Sequence, residues 1–234
     1  MKEFDFKSGE IILVDKPLHW TSFDVVNKIR WNLKKLYKVK KIKVGHAGTL
    51  DPLATGLLII CTGQKTKISQ DLTSEDKTYT GTFLLGKTTP SFDLETPFDK
   101  DYPTDHLTKE LVESTAEGFL GEQLQVPPIF SAKKIDGKRA YESAREGKEV
   151  EMRKNLIDIK EFSVDCSDFP QVHFQISCSK GTYIRSIAND FGEKLGSGAC
   201  LIALRRIQSG AYRIEDAKPV DEWIDIISSL NSVN

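Results

Sequence analysis

The chain has 234 residues, of which 39% are hydrophobic, and its 33 lysines and arginines nearly balance its 34 aspartates and glutamates, for a net charge of −1. The 16 glycines and 9 prolines are ordinary amounts, which excludes collagen-like, low-complexity and wholly disordered classes. A chain of this length can bury roughly 70–75% of its unfolded surface, so we expect one sizeable core that needs no disulfide or metal to hold it.

The first half of the chain predicts a strand, a helix and a glycine-rich loop, in that order. Gly9–Asp15 is apolar enough for a buried strand, and Thr21 with Asp24 fits a capping box that opens a helix. The helix leads through a run of lysines into Gly45–Pro52, where Asp51 precedes a proline and is therefore expected in a loop. Four apolar residues recur at helical spacing and predict a helix buried on one side, with lysines on the other: Val26, Ile29, Leu33 and Leu36.

The second half predicts strands and helices that alternate without a regular β-α-β rhythm. Strands are predicted at Lys77–Gly86, Val150–Cys166, Gln171–Lys180 and Ala199–Tyr212. Helices are predicted at Leu107–Phe119, from a Thr182 cap to Gly196, and at Asp221–Leu230. This order indicates an α+β fold with a mixed central β-sheet flanked by helices and loops.

The N-terminus and the cysteines bear on the cellular compartment. Residues 1–7 contain no apolar stretch of a secretory signal, and the longest apolar run, Leu57–Cys61, is too short to cross a membrane. The cysteines show neither C-x-x-C spacing nor the density of a secreted scaffold, and the histidines show no ligand spacing. We expect a cytoplasmic protein with no metal site and with reduced, mostly buried thiols at Cys61, Cys166, Cys178 and Cys200.

Charge is segregated along the chain, although the total is almost neutral. Val25–Leu50 contains eight lysines and arginines and no acid, whereas Asp93–Glu122 contains nine acids against two lysines. A basic stripe on a neutral protein still attracts phosphates locally. The alternative is a solvated helix face whose lysines only confer solubility.

One formal motif fits its usual structure poorly. Gly81–Thr88 matches the P-loop pattern G-x-x-x-x-G-K-[ST], which needs a flexible loop followed at once by a helix. Here the intervening residues are apolar and typical of a strand, and Pro90 follows where the helix should begin. A P-loop nucleotidase is kept only as an alternative function.

Three residues could carry chemistry, and the residues alone leave two interpretations open for each. Asp51 is the only carboxylate between Val25 and Gln70, so it is either catalytic or the cap of the turn before the next strand. Glycoside hydrolysis usually needs two carboxylates, and this loop offers one. Tyr79 lies on a predicted strand, where aromatic side chains usually belong to the core. Arg185 lies in the first turn of a helix, where its charge opposes the helix dipole, so it either pairs with a carboxylate or phosphate or points into water.

Five blocks occur in one order along the chain and carry a resemblance. They are Asp15-Lys16-Pro17 with Thr21-Ser22, Gly45–Pro52 with Ala54-Thr55-Gly56, Lys77-x-Tyr79, Gly181–Arg185, and Leu204-Arg205-Arg206. Together they resemble the TruB family of bacterial tRNA pseudouridine synthases, over about Gly9 to Ala217. The resemblance implies the pseudouridine synthase fold with a thumb-like insert.

The resemblance also implies a reaction. Family members convert a uridine in the T loop of tRNA (position 55 in standard tRNA numbering) to pseudouridine, without cofactor or metal. The N1–C1′ bond breaks, the uracil turns within the site, and C5 bonds to C1′. Asp51 matches the catalytic aspartate, which attacks C1′ or removes a sugar proton; Arg185 matches the arginine that pairs with it. Tyr79 matches the tyrosine stacked on the target base and is a candidate for the C5 proton step.

Further residues match substrate-binding positions of the family. Tyr183 and Leu204 match residues that line the pocket, and Lys16 matches a supporting basic residue. His46 matches a histidine that enters the space left by the flipped nucleotide, whose extrusion costs a few kcal/mol. Specificity is then expected from loop shape, stacking and phosphate contacts. Phosphate contacts, and hence salt-sensitive binding, are expected from Lys28, Lys35, Lys40, Lys41, Lys43, Lys133 and Lys134.

The resemblance divides the chain into residues 1–217, a catalytic domain, and residues 218–234, a short C-terminal helix. Residues 125–150 resemble the RNA-binding thumb and are expected to be mobile without RNA, while Asp93–Glu122 is expected to face away from it. Two departures stand out. His19 replaces the usual glycine after Lys16-Pro17, so local rebuilding is expected there, and we expect the protein to lack the C-terminal RNA-binding domain of the PUA type that many relatives carry. A monomer that needs no protein partner and binds the T arm is expected; the alternative is a non-catalytic tRNA-binding or tRNA-folding protein.

Overall fold

A computed structural model of the chain describes residues 4–129, 134–135, 138–139 and 152–230. The strands are β1 (Ile11–Lys16), β2 (Val44–Ala47), β3 (Ala54–Thr62), β4 (Lys77–Leu85), β5 (Lys87–Thr88), β6 (Lys100–Asp101), β7 (Gly121–Gln125), β8 (Lys134–Ile135), β9 (Lys138–Arg139), β10 (Asn155–Asp168), β11 (Gln171–Cys178), β12 (Ala199–Ser209), β13 (Tyr212–Arg213) and β14 (Lys218–Pro219). The helices are α1 (Ser22–Leu36), α2 (Ser69–Ser74), α3 (Lys109–Glu117), α4 (Ile184–Leu195) and α5 (Val220–Ser229), with 3-10 turns at Gly63–Ile68 and Ile214–Asp216. Residues 1–79 and 204–234 form one compact unit, called unit 1, and residues 80–203 form another, called unit 2.

Helix α1 begins where the capping box predicts. The Thr21 hydroxyl accepts from the Asp24 backbone N–H at 3.0 Å, and the Asp24 carboxylate accepts from the Thr21 backbone N–H at 2.8 Å. The predicted periodicity is confirmed for Val26, Ile29 and Leu33, which are buried together with Val25, whereas Leu36 is only half-buried near the end of the helix.

The sheet of unit 1 is mixed and is built around β3. Strand β1 pairs with one edge of β3 in antiparallel fashion. The other edge takes β2 antiparallel, with Ala47 opposite Ile59, and the middle of β12 parallel, with Leu204 opposite Ala54. Strand β14 runs parallel to β1. The loop between β2 and β3 is therefore held between its own hairpin and a strand from the far end of the sequence.

Unit 2 has antiparallel strands and an aromatic core. Strand β10 pairs with β11 on one side and β7 on the other. Helix α4 ends at Gly196 with φ 66°, the left-handed cap that the sequence predicts. The rings of the core contact one another in stacked, tilted or edge-to-face arrangements, at centroid distances between 4.2 and 6.3 Å: Phe83, Phe119, Phe162, Phe174 and Phe191.

Two predictions about segment boundaries are wrong. Thr182 does not cap α4; Tyr183 occupies the N-cap, and the Thr182 hydroxyl donates to the Ser179 carbonyl at 2.9 Å. The strand predicted through Tyr212 breaks at Gly210, whose φ of 55° turns β13 back onto β12. The apolar pattern around Gly210 predicts a continuous strand, because that pattern alone does not show that the glycine adopts the left-handed backbone of a turn.

The P-loop alternative is excluded by the backbone. Gly81 lies inside β4, and Gly86 (φ 88°) makes a turn into β5 rather than opening a helix. Within the described residues, no cluster of three or more histidines, cysteines and acids could hold a metal, and no helix is long and apolar enough to span a bilayer. All four cysteines are free thiols, and three of them are buried.

Candidate active site

The loop between β2 and β3 presents Asp51 on a turn fixed at both ends. The Ala54 N–H donates to the Asp51 carbonyl at 3.0 Å, which closes the turn. The buried Ser22 hydroxyl, in the first turn of α1, accepts from the Leu50 N–H at 2.8 Å and donates to the Leu50 carbonyl at 3.1 Å. Asp51 itself is half-buried. Its backbone is therefore held from α1 as well as from β3.

Arg206 clamps the same loop from β12. Its side chain is 1% exposed and donates from Nε to the Leu57 carbonyl at 2.7 Å, from Nη2 to the Gly48 carbonyl at 3.2 Å, and from Nη1 to the Thr49 carbonyl at 3.4 Å. A planar guanidinium can meet several carbonyls at once, which an ammonium cannot do with fixed geometry. The motif that contains Arg206 is visible in the sequence, but its role as a clamp depends on a parallel strand register that no local pattern predicts.

Lys16 lies fully buried at the end of β1, and its ammonium interacts electrostatically with Asp51. Its Nζ donates to the Trp20 carbonyl at 2.6 Å and to the Pro17 carbonyl at 2.9 Å. Burial lowers the pKa of Lys16 to about 8; the negative charge of Asp51 acts in the opposite direction, and the positive charge of Arg206 lowers the pKa further. Lys16 is thus mostly charged at pH 7.

The expected rebuilding at His19 is wrong. His19 adopts φ 65°, the left-handed conformation that a glycine would take, and its N–H donates to the Pro52 carbonyl at 2.8 Å. A residue with a side chain thus occupies a left-handed position here, and the carbonyls of Pro17 and Trp20, on either side of it, receive the Lys16 ammonium.

The other predicted residues of unit 1 lie on its strands. His46 is half-buried on β2, and its pKa is lowered by burial and by the positive charge of Arg206, so the imidazole is neutral at pH 7. Tyr79 is 8% exposed on β4. Leu204 is half-buried on β12, and its carbonyl accepts from the Thr55 hydroxyl at 3.4 Å. Next to it, Arg205 makes a two-pronged salt bridge with Asp15, at 2.7 and 3.0 Å.

Arg185 lies in unit 2 and is buried, so the interpretation that it points into water is wrong. Its Nε lies 3.6 Å from the Asp93 carboxylate, and its Nη1 donates to the Ser91 carbonyl at 3.5 Å. Arg185 is 4% exposed and Asp93 is also 4% exposed. An opposite charge offsets both the desolvation of the guanidinium and its unfavourable place at a helix N-terminus.

Tyr183 is positioned by an amide that the sequence did not single out. The Tyr183 N–H donates to the Gln125 side chain at 2.8 Å, and the Gln125 amide donates back to the Tyr183 carbonyl at 3.0 Å. Gln125 is 3% exposed. One turn on, the Ser186 hydroxyl donates to the Val126 carbonyl at 2.7 Å. These bonds tie the start of α4 to the end of β7.

The lysines predicted to contact RNA are exposed wherever the structure describes their side chains. Lys28 and Lys35 lie on α1, and Lys40, Lys41 and Lys43 lie between α1 and β2. Lys133 and most of the predicted thumb, residues 125–150, lie outside the described residues; Lys134 is described only as backbone in β8, which pairs with β9. The basic stripe of unit 1 is therefore available to a polyanion.

Within unit 1, the geometry can support chemistry that depends on one fixed carboxylate. The loop of Asp51 is held by a serine and an arginine, and a buried ammonium adds positive charge to its surroundings. Such a carboxylate can act as a nucleophile or as a proton acceptor. Preorganisation of this kind is what a site needs to act on a sugar carbon or on its neighbouring proton.

Comparison with protein families and curated sequences finds close similarity. Residues 34–184 match the TruB family pseudouridylate synthase (N terminal domain). The chain is 52% identical to tRNA pseudouridine synthase B of Phocaeicola vulgatus, over 94% of this chain and 95% of that relative. It is 50% identical to the Flavobacterium johnsoniae protein of the same name (91% and 93% covered) and 47% identical to that of Chlorobaculum tepidum (97% and 94%).

Solved structures share the fold. A chain in a crystal structure of a Cbf5-Nop10-Gar1 complex superposes with a TM-score of 0.70 at 27% identity, over 94% of this chain and 54% of that one. A chain in an H/ACA RNP bound to a substrate RNA containing 2′-deoxyuridine gives 0.67 at 24% identity, over 94% and 53%. The chain thus spans about half the length of these solved chains, and the second likeness concerns the fold alone.

Proposed function

The chain belongs to the TruB family of pseudouridylate synthases, and from this membership we propose that it isomerises the uridine at position 55, in the T loop of tRNA, to pseudouridine. The isomerisation of uridine to pseudouridine follows from the family. The choice of the T loop is part of the proposal. The observation that supports it best is the arrangement around Asp51, a single carboxylate on a loop held by Ser22 and Arg206.

Each step of the isomerisation has a candidate residue. The N1–C1′ bond breaks while Asp51 either bonds to C1′ or takes a proton from the sugar. The uracil turns and C5 bonds to C1′, while the Asp51–C1′ bond breaks or the sugar regains its proton from Asp51; C5 then loses its own proton. Atoms balance, because the C5 proton leaves and N1 gains one. Tyr79, which is buried on β4, is proposed for the C5 proton step. The pairing of Arg185 with Asp51 stays a prediction.

The remaining assignments concern binding. That Tyr183 and Leu204 contact the target base stays a prediction for each; Lys16 supports the loop, and neutral His46 takes the space of the extruded nucleotide. A neutral imidazole can stack between bases without the cost of desolvating a charge. The exposed lysines of α1 and the following loop contact the phosphates of the T arm. The enzyme acts as a cytoplasmic monomer.

Tritium release tests the reaction directly. Unmodified tRNA labelled with tritium at C5 of uridine loses its label only when C5 forms the new bond. Asp51→Asn should abolish release while leaving the Kd for a T-arm stem-loop nearly unchanged, because the two side chains have the same shape. Asp71→Asn, an exposed carboxylate on α2, is the matched control and should behave like the wild type.

Two outcomes would contradict the proposal. Retained turnover in Asp51→Asn would remove Asp51 from the chemistry. Wild-type protein that binds T arms but releases no tritium would instead support a non-catalytic RNA-binding protein that has kept the surface. Replacing position 55 in the tRNA with cytidine should stop release; continued release would move the target to another uridine.

A further inference from the structure

The outward face of α1 carries two large aromatic side chains that the fold does not bury. Phe23 is 59% exposed and Trp31 is 61% exposed. They lie eight residues apart on one side of the helix, so about 12 Å separates them along its axis. Phenylalanine and tryptophan usually lie in cores, although a single exposed ring needs no explanation. What distinguishes this pair is its surroundings.

Each of the two rings has a cation beside it. The Arg30 guanidinium lies 5.8 Å from the centroid of the Phe23 ring, and the Lys35 ammonium lies 5.7 Å from that of the Trp31 ring. Both distances are close to the outer limit of a cation–π contact, about 6 Å, so the rings stay open to another planar group. A ring that can stack with a base, next to a cation that can meet a phosphate, is the combination that binds unpaired nucleotides. Trp31 with the exposed Lys35 has both parts, whereas the two terminal nitrogens of Arg30 already donate to Asn27 Oδ1 and to the Val44 carbonyl, each at 2.8 Å.

The charge around the pair favours a polyanion over an acidic or neutral protein surface. No acid occurs from Val25 to Leu50, and the one carboxylate at the start of the helix, Asp24, is engaged in the capping box. The side chains exposed on this helix are otherwise cationic or amide-bearing. An aromatic pair set in a mainly basic face matches nucleic acid, in which every base has a flat face and every linkage a negative charge.

The face also begins at the catalytic loop. Ser22, which bonds both backbone groups of Leu50, immediately precedes Phe23. Phe23 therefore lies close to the Asp51 loop, and Trp31 lies about two turns farther along α1. RNA that places a uridine at Asp51 must continue in some direction, and this face offers both stacking groups and phosphate partners along one such direction.

We propose that Phe23 and Trp31 form a stacking surface for unpaired bases of the substrate RNA outside the target uridine. The inference rests on the proposed function, since it needs an RNA substrate at Asp51. The proposed stacking surface adds base contacts to the lysine contacts, and the contribution of these base contacts to the affinity does not depend on the salt concentration. Stacking of this kind tolerates different base identities, because it uses the face of the base and not its edge.

Binding of a fluorescent T-arm stem-loop to alanine variants tests the surface. Loss of a stacked base contact should raise Kd by about 5- to 150-fold for Phe23→Ala or for Trp31→Ala. Trp31→Phe should keep most of the affinity, because a ring remains. The slope of log Kd against log salt should stay as in the wild type for Trp31→Ala, and should fall by about 1 for Lys35→Gln.

Phe98→Ala is the matched control. Phe98 is 47% exposed and has the Lys87 ammonium 5.2 Å from its ring centroid, but it lies beside Asp99 and Asp101. Its removal should leave Kd unchanged. Unchanged urea midpoints in all of these variants would show that lost binding is not lost folding, as expected for side chains this exposed.

The outcomes separate this inference from the proposed function. If the wild type releases tritium and the Phe23 and Trp31 variants bind like Phe98→Ala, the stacking surface is wrong and the enzyme assignment stands. If the wild type neither binds the stem-loop nor releases tritium, the proposed function fails first. A duplex without unpaired nucleotides should bind the wild type and Trp31→Ala equally; an equal loss on duplex and stem-loop would overturn base stacking.

Discussion

Arg206 offers the sharpest test of how the Asp51 loop is held. Replacing it with methionine keeps an unbranched side chain of similar length and removes all its donors. Two of its three hydrogen bonds, to the carbonyls of Leu57 at 2.7 Å and Gly48 at 3.2 Å, lie within the usual range of donor–acceptor distances. Bonds from a charged donor contribute about 1.5–3 kcal/mol each, so Arg206→Met should lose about 3–6 kcal/mol of unfolding free energy. That is a large share of the 5–15 kcal/mol typical of a protein.

Urea unfolding measures this loss. With a slope near the upper end of the usual range, about 3 kcal/mol per molar urea, the midpoint should fall by about 1–2 M. Arg206→Lys keeps the charge but reaches fewer carbonyls, so its urea midpoint should fall by less than that of Arg206→Met. Arg205→Met is the matched control: its salt bridge to Asp15 is partly exposed, with 40% and 31% of the side chains accessible, and should contribute less than about 1 kcal/mol.

Activity should respond separately from stability. Under conditions where Arg206→Lys is folded, its single-turnover rate of tritium release should fall by up to about 100-fold, since a displacement of about 1 Å at a catalytic group can have that effect. Its Kd for RNA should stay the same. The reasoning is refuted if Arg206→Met unfolds at the same urea concentration as Arg205→Met, or if Arg206→Lys turns over at the wild-type rate.

Three further predictions follow from the geometry. The pKa of Lys16 falls from 10.5 in the unfolded chain to about 8 when folded, so the unfolded state holds more protons between these pH values. The unfolding free energy of the wild type, relative to that of Lys16→Met, should therefore rise by about 3 kcal/mol from pH 8 to 10.5. A difference between the two proteins that does not change with pH would contradict this. Gly56→Ala should lower the unfolding free energy, measured in urea, by about 2–6 kcal/mol. Gly56 has φ 102°, and a Cβ there would lie 2.3 Å from the Arg206 carbonyl oxygen. Gly45→Ala is the control and should lower it by less than about 0.5 kcal/mol, because no atom lies within 4 Å of its Cβ position. Asp93→Asn should lower the stability by about 3–5 kcal/mol because it uncouples a buried ion pair, and a loss no larger than that of the exposed Asp99→Asn would show that the pair contributes nothing.

Local signals in the sequence predicted the local structure well. The hydroxyl and carboxylate at Thr21 and Asp24 can satisfy each other's backbone only at a helix start, and α1 begins there. Gly196 ends α4 for a similarly local reason. The prediction that Thr182 caps α4 is wrong because a threonine hydroxyl can also hydrogen-bond within a nearby turn, and here it donates to the Ser179 carbonyl.

The partners of the site residues could not be predicted in the same way. Arg206 contacts a loop 158 residues earlier, and Arg185 meets a carboxylate that follows β5. Such contacts follow from strand register and burial, which depend on the whole chain. The cost of a cation at a helix N-terminus did point to an anionic partner for Arg185, but only the structure identifies Asp93 as a carboxylate beside it.

The clamp on the Asp51 loop has a consequence for biosynthesis. Unit 1 is made of two distant parts of the chain, and 158 residues separate Gly48 from the arginine that holds its carbonyl. At about 5–20 residues per second, the ribosome needs about 8–30 s to add them. During that interval a nascent chain has its aspartate but lacks both the parallel neighbour of β3 and the guanidinium. The Asp51 loop can therefore reach its clamped conformation only after Arg206 has been translated.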